Sequence, residues 1–102
     1  MLEVTPGELE IVLQILGQFV PDREVRAFGS RVGGTPKTFS DLDLVIMGEA
    51  SLPIAVRADL REAFIESTLP FRVDLVDWAT TDRRFRDIIA ASSVLLQAGK
   101  AG

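Results

Sequence analysis

Two short motifs, a glycine–serine pair and a pair of aspartates, limit the possible fold and chemistry of this chain more than any other feature. Each motif lies next to an apolar run. Within Ala27–Ile46, Gly29–Ser30 ends one apolar run, and after ten intervening residues Asp41 and Asp43 open a second run. Near the end of a third run stands Asp74. Adjacent strands of one sheet would bring these three carboxylates together beside the glycine turn. Magnesium and a nucleoside triphosphate require such an arrangement.

The length and composition predict one soluble domain over residues 1–102. A chain of 102 residues is large enough to bury roughly 65% of its unfolded surface. Its 47% hydrophobic and 25% charged residues are typical of a globular protein. It has no apolar stretch of about 18 residues or more, and the start lacks the basic and apolar regions of a secretory signal. We therefore expect no membrane association and a cytoplasmic location.

The residue types that are missing narrow the chemistry. The chain has no cysteine and no histidine, so it has no disulfide, no thiolate metal site and no imidazole base. A metal ion must then be held by oxygen atoms, which favours magnesium, calcium or manganese over zinc. The net charge of −4 argues against a direct nucleic-acid partner, because affinity for a phosphate backbone comes mainly from lysine and arginine.

Apolar spacing and turn residues predict the order α-β-β-α-β-α, one sheet covered by helices. The first helix should begin at Pro6, with Thr5 as N-cap and Glu8 closing a capping box. The remaining expected elements are strands at Val25–Phe28, Leu42–Met47 and Phe71–Val76, a loop at Ser30–Ser40, a helix at about Pro53–Thr68, a third helix from near Asp82 and an extended segment at Val94–Leu96. The expected core positions of the second and third helices are Val56, Leu60, Ala63 and Phe64, then Phe85, Ile88 and Ile89.

Strand geometry predicts which aspartates share a face. Residues i and i+2 of a strand point to the same side, about 6.6 Å apart, so Asp41 and Asp43 should point away from the apolar Leu42. In the third strand, Asp74 shares a face with Arg72 and Val76, whereas Asp77 shares the apolar face. Asp74 rather than Asp77 is therefore expected to join the acidic pair.

Three clustered carboxylates repel one another unless cations neutralise them. Magnesium suits this role, because its octahedral shell leaves positions for phosphates and water. Two ions ~3.5–4 Å apart could bridge the attacking and leaving oxygens of a displacement at phosphorus. Asp41, Asp43 and Asp74 are therefore the predicted catalytic and metal-binding residues.

The glycine turn supplies the candidate phosphate site. Gly29 lets the backbone turn sharply and approach a ligand, and the Ser30 hydroxyl and neighbouring N–H groups can donate to phosphate oxygens. Arg31 is the expected cationic phosphate contact, since its guanidinium matches phosphate geometry. Lys37 in the same loop is a weaker candidate.

Each motif alone also has a structural explanation: a turn, a solvated strand end or a surface cation. The spacing of the motifs along the chain, together with the shared face of the three aspartates, favours a functional site over these explanations. Two competing motifs are excluded. The sequence is not a P-loop, because Thr35 and Pro36 replace the Lys-Ser/Thr that should follow Gly34. It is not a calcium-binding loop, because Val45 occupies a ligand position.

With these motifs, FGSR…SDLDL…VDLVD, the chain resembles the DNA polymerase β-type nucleotidyltransferase superfamily. More narrowly it resembles the minimal nucleotidyltransferases, the antitoxins of prokaryotic HEPN–nucleotidyltransferase operons. The resemblance runs from about Leu9 to Leu96. It implies an α/β (α+β) nucleotidyltransferase fold, one mixed β-sheet covered by about three helices.

The resemblance also implies residue roles. Gly29 and Ser30 would hold the triphosphate of ATP, Asp41 and Asp43 would bind two Mg²⁺ ions, and Asp74 would complete the site. Two positions depart from the family pattern: Gly33 stands where a basic residue is frequent, and Gln97 where a tyrosine is frequent. Relatives of this kind transfer AMP from ATP to a tyrosine of the partner HEPN toxin, a ribonuclease, and silence it.

Three functions follow as alternatives. The first is magnesium-dependent transfer of AMP with release of pyrophosphate, in which Asp74 orients or deprotonates the attacking hydroxyl and Ser30 and Arg31 hold the pyrophosphate. The second is an antitoxin that neutralises its toxin by occlusion alone. The third is modification of a small molecule, which usually needs additional binding structure. Because the chain contains no tyrosine, a phenolic acceptor must belong to a partner, which we expect to form a hetero-oligomer with this chain.

Overall fold

A computed structural model describes residues 2–32 and 40–99 of the chain. Over these residues the chain forms three helices, four strands and one short 3₁₀ turn at Trp78–Thr80. The elements are α1 (Pro6–Phe19), β1 (Val25–Phe28), β2 (Leu42–Ile46), α2 (Ile54–Glu66), β3 (Val73–Asp77), α3 (Arg83–Ala91) and β4 (Val94–Gln97). This order is the one that the sequence predicts, and the final extended segment is a strand.

The four strands form one mixed sheet in the order β3-β2-β1-β4. Strand β1 pairs antiparallel with both β2 and β4, whereas β2 and β3 run parallel. Helix α2 provides the crossover that a parallel pair requires. Strands β3 and β4 are the two edges, and the mixed sheet expected from the family resemblance is confirmed.

Helices α1 and α2 cover the larger hydrophobic core on one face of the sheet. Helix α1 begins as predicted: the Thr5 hydroxyl accepts from the N–H of Glu8 at 3.1 Å, and the Glu8 carboxylate accepts from the N–H of Thr5 at 2.8 Å. Alternate residues of β1 and β2 enter this core because successive strand side chains point to opposite faces. The fully buried side chains on this side include Val12, Leu16, Val25, Leu42, Leu44, Ile46 and Leu60.

Helix α3 covers part of the opposite face through a smaller cluster of Phe28, Val45 and Ile89. The ring of Phe85 meets that of Phe28 edge-on, with centroids 5.8 Å apart. The prediction that α3 buries all three of its apolar residues is wrong, since Ile88 remains 59% exposed and Phe85 37%. The helix is amphipathic, but only its Ile89 side reaches the sheet.

Strand β3 begins two residues later than predicted and ends one residue later. Its pairing starts at the partners Leu42 and Val73, so the extent of β2 sets where β3 begins. Phe71 precedes the strand, and its ring packs under the guanidinium of Arg31. Among the described residues no helix is both long enough and apolar enough to cross a bilayer.

Candidate active site

The parallel pairing of β2 and β3 brings the predicted carboxylates together. Asp43 and Asp74 are direct partners in the register, so their side chains lie on the same face of the sheet. Asp41, just before β2, reaches the same face, where Arg72 donates to it from Nη2 at 2.8 Å and from Nε at 3.3 Å. The predicted facing of all three aspartates is therefore the one observed.

The site concentrates negative charge around Asp43. Burial of this carboxyl raises its pKa above the usual 3.8, and the charges of Asp74 and then Asp41 raise it further. The nearby Arg72 acts in the opposite direction. The two neighbouring carboxylates thus add to the effect of burial on the pKa of Asp43, in the direction expected from the repulsion that the sequence predicts.

Arg72 is a member of the site that the sequence prediction did not assign. It forms an ion pair with Asp41, and both the hydrogen bond and the charge of Asp41 raise the pKa of the guanidinium. The alternation that puts Arg72 on the face of Asp74 is the sequence signal that could have identified it. Arg72 therefore supplies part of the countercharge of the acidic group.

Whether these residues suit a metal ion depends on donor chemistry and on charge. As the side chains stand, no three acidic groups in residues 2–32 and 40–99 converge as a preformed metal site, and Asp41 is directed to Arg72. The donors are nevertheless all carboxylate oxygens, which hard cations prefer. Among the described residues, the ion pairs include Asp41 but neither Asp43 nor Asp74, so negative charge remains for a divalent cation to neutralise, and the group fits such an ion.

Position 29 accepts only glycine without strain, for two geometric reasons. It follows Phe28, the register partner of Asp43, and its φ of 84° lies in the left-handed region that favours glycine. A Cβ built at this position would overlap Oδ2 of Asp43. The turn closes through the N–H of Val32, which donates to the carbonyl of Gly29 at 3.0 Å. The exposed Ser30 therefore lies in a turn held against the central carboxylate.

Arg31 has contacts that differ from those expected of a phosphate ligand. Only 6% of the residue is exposed, and its guanidinium donates to the carbonyls of Ser40 and Glu3, each at 2.8 Å. The ring of Phe71 lies 4.2 Å from the guanidinium carbon. These contacts tie the N-terminal segment to both ends of the loop, and they argue against the predicted phosphate contact. Lys37, Gly33 and Gly34 lie outside the described residues.

Asp77 and Gln97 have structural partners that the sequence did not reveal. Asp77 is buried on the face opposite Asp74 and accepts from the N–H groups of Leu52 and Ala79 at 2.9 and 3.2 Å. The Gln97 side chain donates to the carbonyls of Val20 and Arg23, both at 2.9 Å. Gln97, where relatives frequently carry a tyrosine, thus joins β4 to the α1–β1 connection.

A mixed sheet that places a Gly-Ser turn against paired aspartates, with a third aspartate on the neighbouring strand, defines a nucleotidyltransferase domain. The family model described as the nucleotidyltransferase domain matches residues 9–96, and the chain belongs to this family. The chain is also similar to the probable protein adenylyltransferase MntA of Haemophilus influenzae. The two are 54% identical over 96 residues, which cover 94% of this chain and 84% of the relative.

Solved structures with the same fold include two toxin–antitoxin assemblies. One is the crystal structure of a toxin–antitoxin with AMP-PNP, which matches with a TM-score of 0.74 and 22% identity over 90% of this chain and 74% of that one. The other is a tri-AMPylated HEPN toxin of Shewanella oneidensis in complex with an MNT antitoxin, at a TM-score of 0.66 and 20% identity over 89% and 70% of the two chains. At these identities the matches show the shared fold, and the resemblance expected from the sequence is confirmed.

Proposed function

We propose that this protein is a magnesium-dependent adenylyltransferase that acts as an antitoxin. It transfers AMP from ATP to a hydroxyl of a partner HEPN ribonuclease toxin, with a tyrosine as the expected acceptor, and releases pyrophosphate. The observation that carries this proposal is the direct pairing of Asp43 with Asp74 beside the Gly29 turn. The 54% identity to a probable protein adenylyltransferase supports the same reaction class.

The residues divide the reaction between them. The Gly29–Ser30 turn holds the triphosphate through N–H groups and the Ser30 hydroxyl. Asp74 orients the acceptor hydroxyl and accepts its proton. The acceptor oxygen then forms a bond to the α-phosphorus of ATP while the bond to the bridging oxygen of the β-phosphate breaks, and pyrophosphate leaves.

Asp41, Asp43 and Asp74 are the proposed ligands of Mg²⁺. When bound, the metal supplies charge compensation to the carboxylates and to the phosphate oxygens. Arg72 holds Oδ2 of Asp41 in the structure described, so a metal ion would meet Asp41 either at its other oxygen or in place of Arg72. A readout of this step that does not depend on activity is the thermal shift of the protein with Mg²⁺ and ATP.

The acceptor is assigned to a partner because the chain contains no tyrosine and because two relatives of the same fold are toxin–antitoxin assemblies. The alternative is neutralisation of the toxin by occlusion alone. The grouped carboxylates favour transfer, since occlusion does not need three repelling charges on one face.

The test compares an Asp41→Asn/Asp43→Asn variant with a matched control, Asp22→Asn/Asp59→Asn, which makes the same change at two exposed aspartates elsewhere. Each protein is incubated with ATP, Mg²⁺ and the HEPN partner, and the intact partner is weighed. Wild type and control should add one or more AMP units, and the site variant none.

A second measurement, the ribonuclease activity of the partner, separates transfer from occlusion. Transfer predicts that the site variant leaves the toxin active. If all three proteins silence the toxin and its mass never rises, occlusion is the function and the adenylyltransferase proposal is wrong.

A further inference from the structure

A small polar cavity lies at the outer edge of β3, the strand that carries Asp74. It is lined by Arg57, Arg61, Val73, Asp74 and Leu75 and has a volume of about 60 Å³. Pockets that enclose a whole small ligand have volumes of roughly 300–1,000 Å³. The cavity is therefore too small for a whole nucleotide, and it can receive no more than part of one small group, such as one face of a phosphate.

The backbone of β3 directs donors into this cavity. The carbonyl of Arg72 accepts from the N–H of Leu42 at 2.9 Å, so even-numbered residues of this strand bond towards β2. The N–H and C=O groups of the odd-numbered residues, Val73 and Leu75, therefore point away from β2, towards the open edge of the sheet. The carbonyl of Leu75 confirms this orientation, because it accepts from Nη2 of Arg57 at 3.3 Å. In the described part of the chain, β3 has no strand on that side.

The two arginines bring two positive charges to this edge, against one acidic residue of the lining, Asp74. Arg57 and Arg61 stand one turn apart on α2, where like charges repel by a few tenths of a kcal/mol. Arg57 also lies one turn from the start of the helix, where the macrodipole disfavours a cation. Among the described residues, ion pairs join Arg26 to Glu24 and Arg72 to Asp41, and neither Arg57 nor Arg61 takes part in one. An anion in the cavity would relieve both unfavourable terms.

From these observations we infer an anion subsite at the edge of β3, formed by Arg57, Arg61 and the N–H groups of Val73 and Leu75. Its ligand is a phosphate, since two guanidinium groups and outward N–H groups match phosphate oxygens. The subsite is separate from the turn proposed for the donor triphosphate.

The position assigns the phosphate to the acceptor. Strands are about 4.8 Å apart, so the Gly29 turn at the end of β1 lies about 10 Å across the sheet from β3, and the cavity lies beyond β3. Asp74, the carboxylate proposed to meet the acceptor hydroxyl, stands between them in the strand order. The phosphate is therefore one that the acceptor carries, such as the phosphodiester left by an earlier transfer. This assignment to the acceptor rests on the proposed function.

The subsite itself is tested without any reaction, by titrating inorganic phosphate into the protein and following backbone amide shifts by NMR. The amides of Val73 and Leu75 should respond, and an Arg57→Gln/Arg61→Gln variant should bind phosphate at this edge about ten-fold more weakly or worse. Arg83→Gln/Arg84→Gln makes the same charge change at exposed positions of α3 and should bind like wild type. An Arg57→Lys/Arg61→Lys pair serves if the glutamine variant does not fold. The inference would be overturned if the amide shifts of Val73 and Leu75 stayed unchanged, or if they responded equally in the Arg57→Gln/Arg61→Gln variant.

The source of the phosphate is tested by transfer. With a partner already carrying one AMP as acceptor, the arginine variant should lose about ten-fold or more in kcat/KM, while its KM for ATP stays within about two-fold of wild type. A raised KM for ATP with unchanged dependence on the acceptor would assign the phosphate to the donor and overturn the inference. If wild type transfers nothing while phosphate still shifts Val73 and Leu75 through the arginines, the proposed function fails and the subsite stands.

Discussion

Asp43 and Asp74 face one another as direct partners across the parallel β2–β3 pair. The partial burial of Asp43, and after it the repulsion from Asp74, hold the pKa of the Asp43 carboxyl above its ordinary value. Charge that is useful for binding a cation is therefore unfavourable for the protein without one. This conflict between stability and function is common at catalytic sites.

We expect Asp43→Asn to stabilise the protein at about pH 7, by up to about 1 kcal/mol, because the variant removes a partly desolvated charge beside two like charges. A raised carboxyl pKa means that ionisation of Asp43 destabilises the fold, so the wild type loses stability as the pH rises through this pKa. The advantage of the variant should accordingly shrink as the pH falls below the raised pKa, because the wild-type carboxyl then takes up its proton. Thermal unfolding at a series of pH values measures both effects.

The matched control for this prediction is Asp22→Asn, at an exposed turn. It should leave the melting temperature nearly unchanged at every pH. A variant at position 43 that is less stable than wild type at neutral pH would contradict the electrostatic explanation.

Replacing Gly29 with alanine should abolish magnesium-dependent ATP binding and lower stability by about 2 kcal/mol or more. A left-handed residue with a Cβ costs about 1–2 kcal/mol, and the overlap with the Asp43 carboxylate adds to this. Calorimetric titration and thermal unfolding check the two parts. Gly7→Ala is the control: a Cβ there meets nothing within 4 Å, and the helical position should gain about 0.5 kcal/mol.

Asp74→Asn and Asp77→Asn should separate function from stability. Asp74→Asn is expected to reduce transfer by about 10²-fold or more with little loss of stability, because the side chain is exposed and its proposed role is to act on the acceptor hydroxyl. Asp77→Asn should cost about 1–3 kcal/mol, because it weakens one buried bond, from the N–H of Leu52, and one partly buried bond, from the N–H of Ala79. The folded fraction should keep its transfer rate. Transfer rates and free energies of unfolding, measured for both variants, test this prediction. If Asp77 proved essential for transfer, the register of β3 would be shifted.

Arg31→Gln should destabilise the protein by about 2 kcal/mol or more and leave the ATP affinity of the folded protein unchanged. The loss arises because the guanidinium joins Glu3 and Ser40 and packs on Phe71. Denaturant unfolding and calorimetry, the latter well below the melting temperature, measure the two quantities. An affinity that falls at least ten-fold in a variant of normal stability would restore Arg31 as a phosphate contact.

The sequence predicted the parts of the site that depend on strand alternation. Asp41, Asp43 and Asp74 share a face because residues two apart must, and the apolar Leu42, Val73 and Leu75 identify the other face. The bounds of β1 were predicted residue for residue, since Phe28 is followed at once by a glycine that needs a left-handed turn.

The sequence could not predict contacts that depend on distant partners. The inward direction of Arg31 follows from Glu3 and Ser40, and neither is visible to a local pattern. The ion pair of Arg72 with Asp41 depends on the register between β2 and β3. The exposure of Ile88 follows from how α3 settles on the sheet: periodicity identifies an apolar side of a helix and says nothing about how much of it is covered.

The parallel pairing of β2 with β3 also has a kinetic consequence. Gly29 and Asp43 meet through the antiparallel β1–β2 pair, whereas Asp74 arrives only when the crossover containing α2 has closed. Closing such a loop is a slow, entropically unfavourable event in folding, and here it also presses two like charges together. Acidic conditions or a divalent cation should therefore speed refolding itself, so that the ions of the proposed reaction would also help the chain to reach its native state.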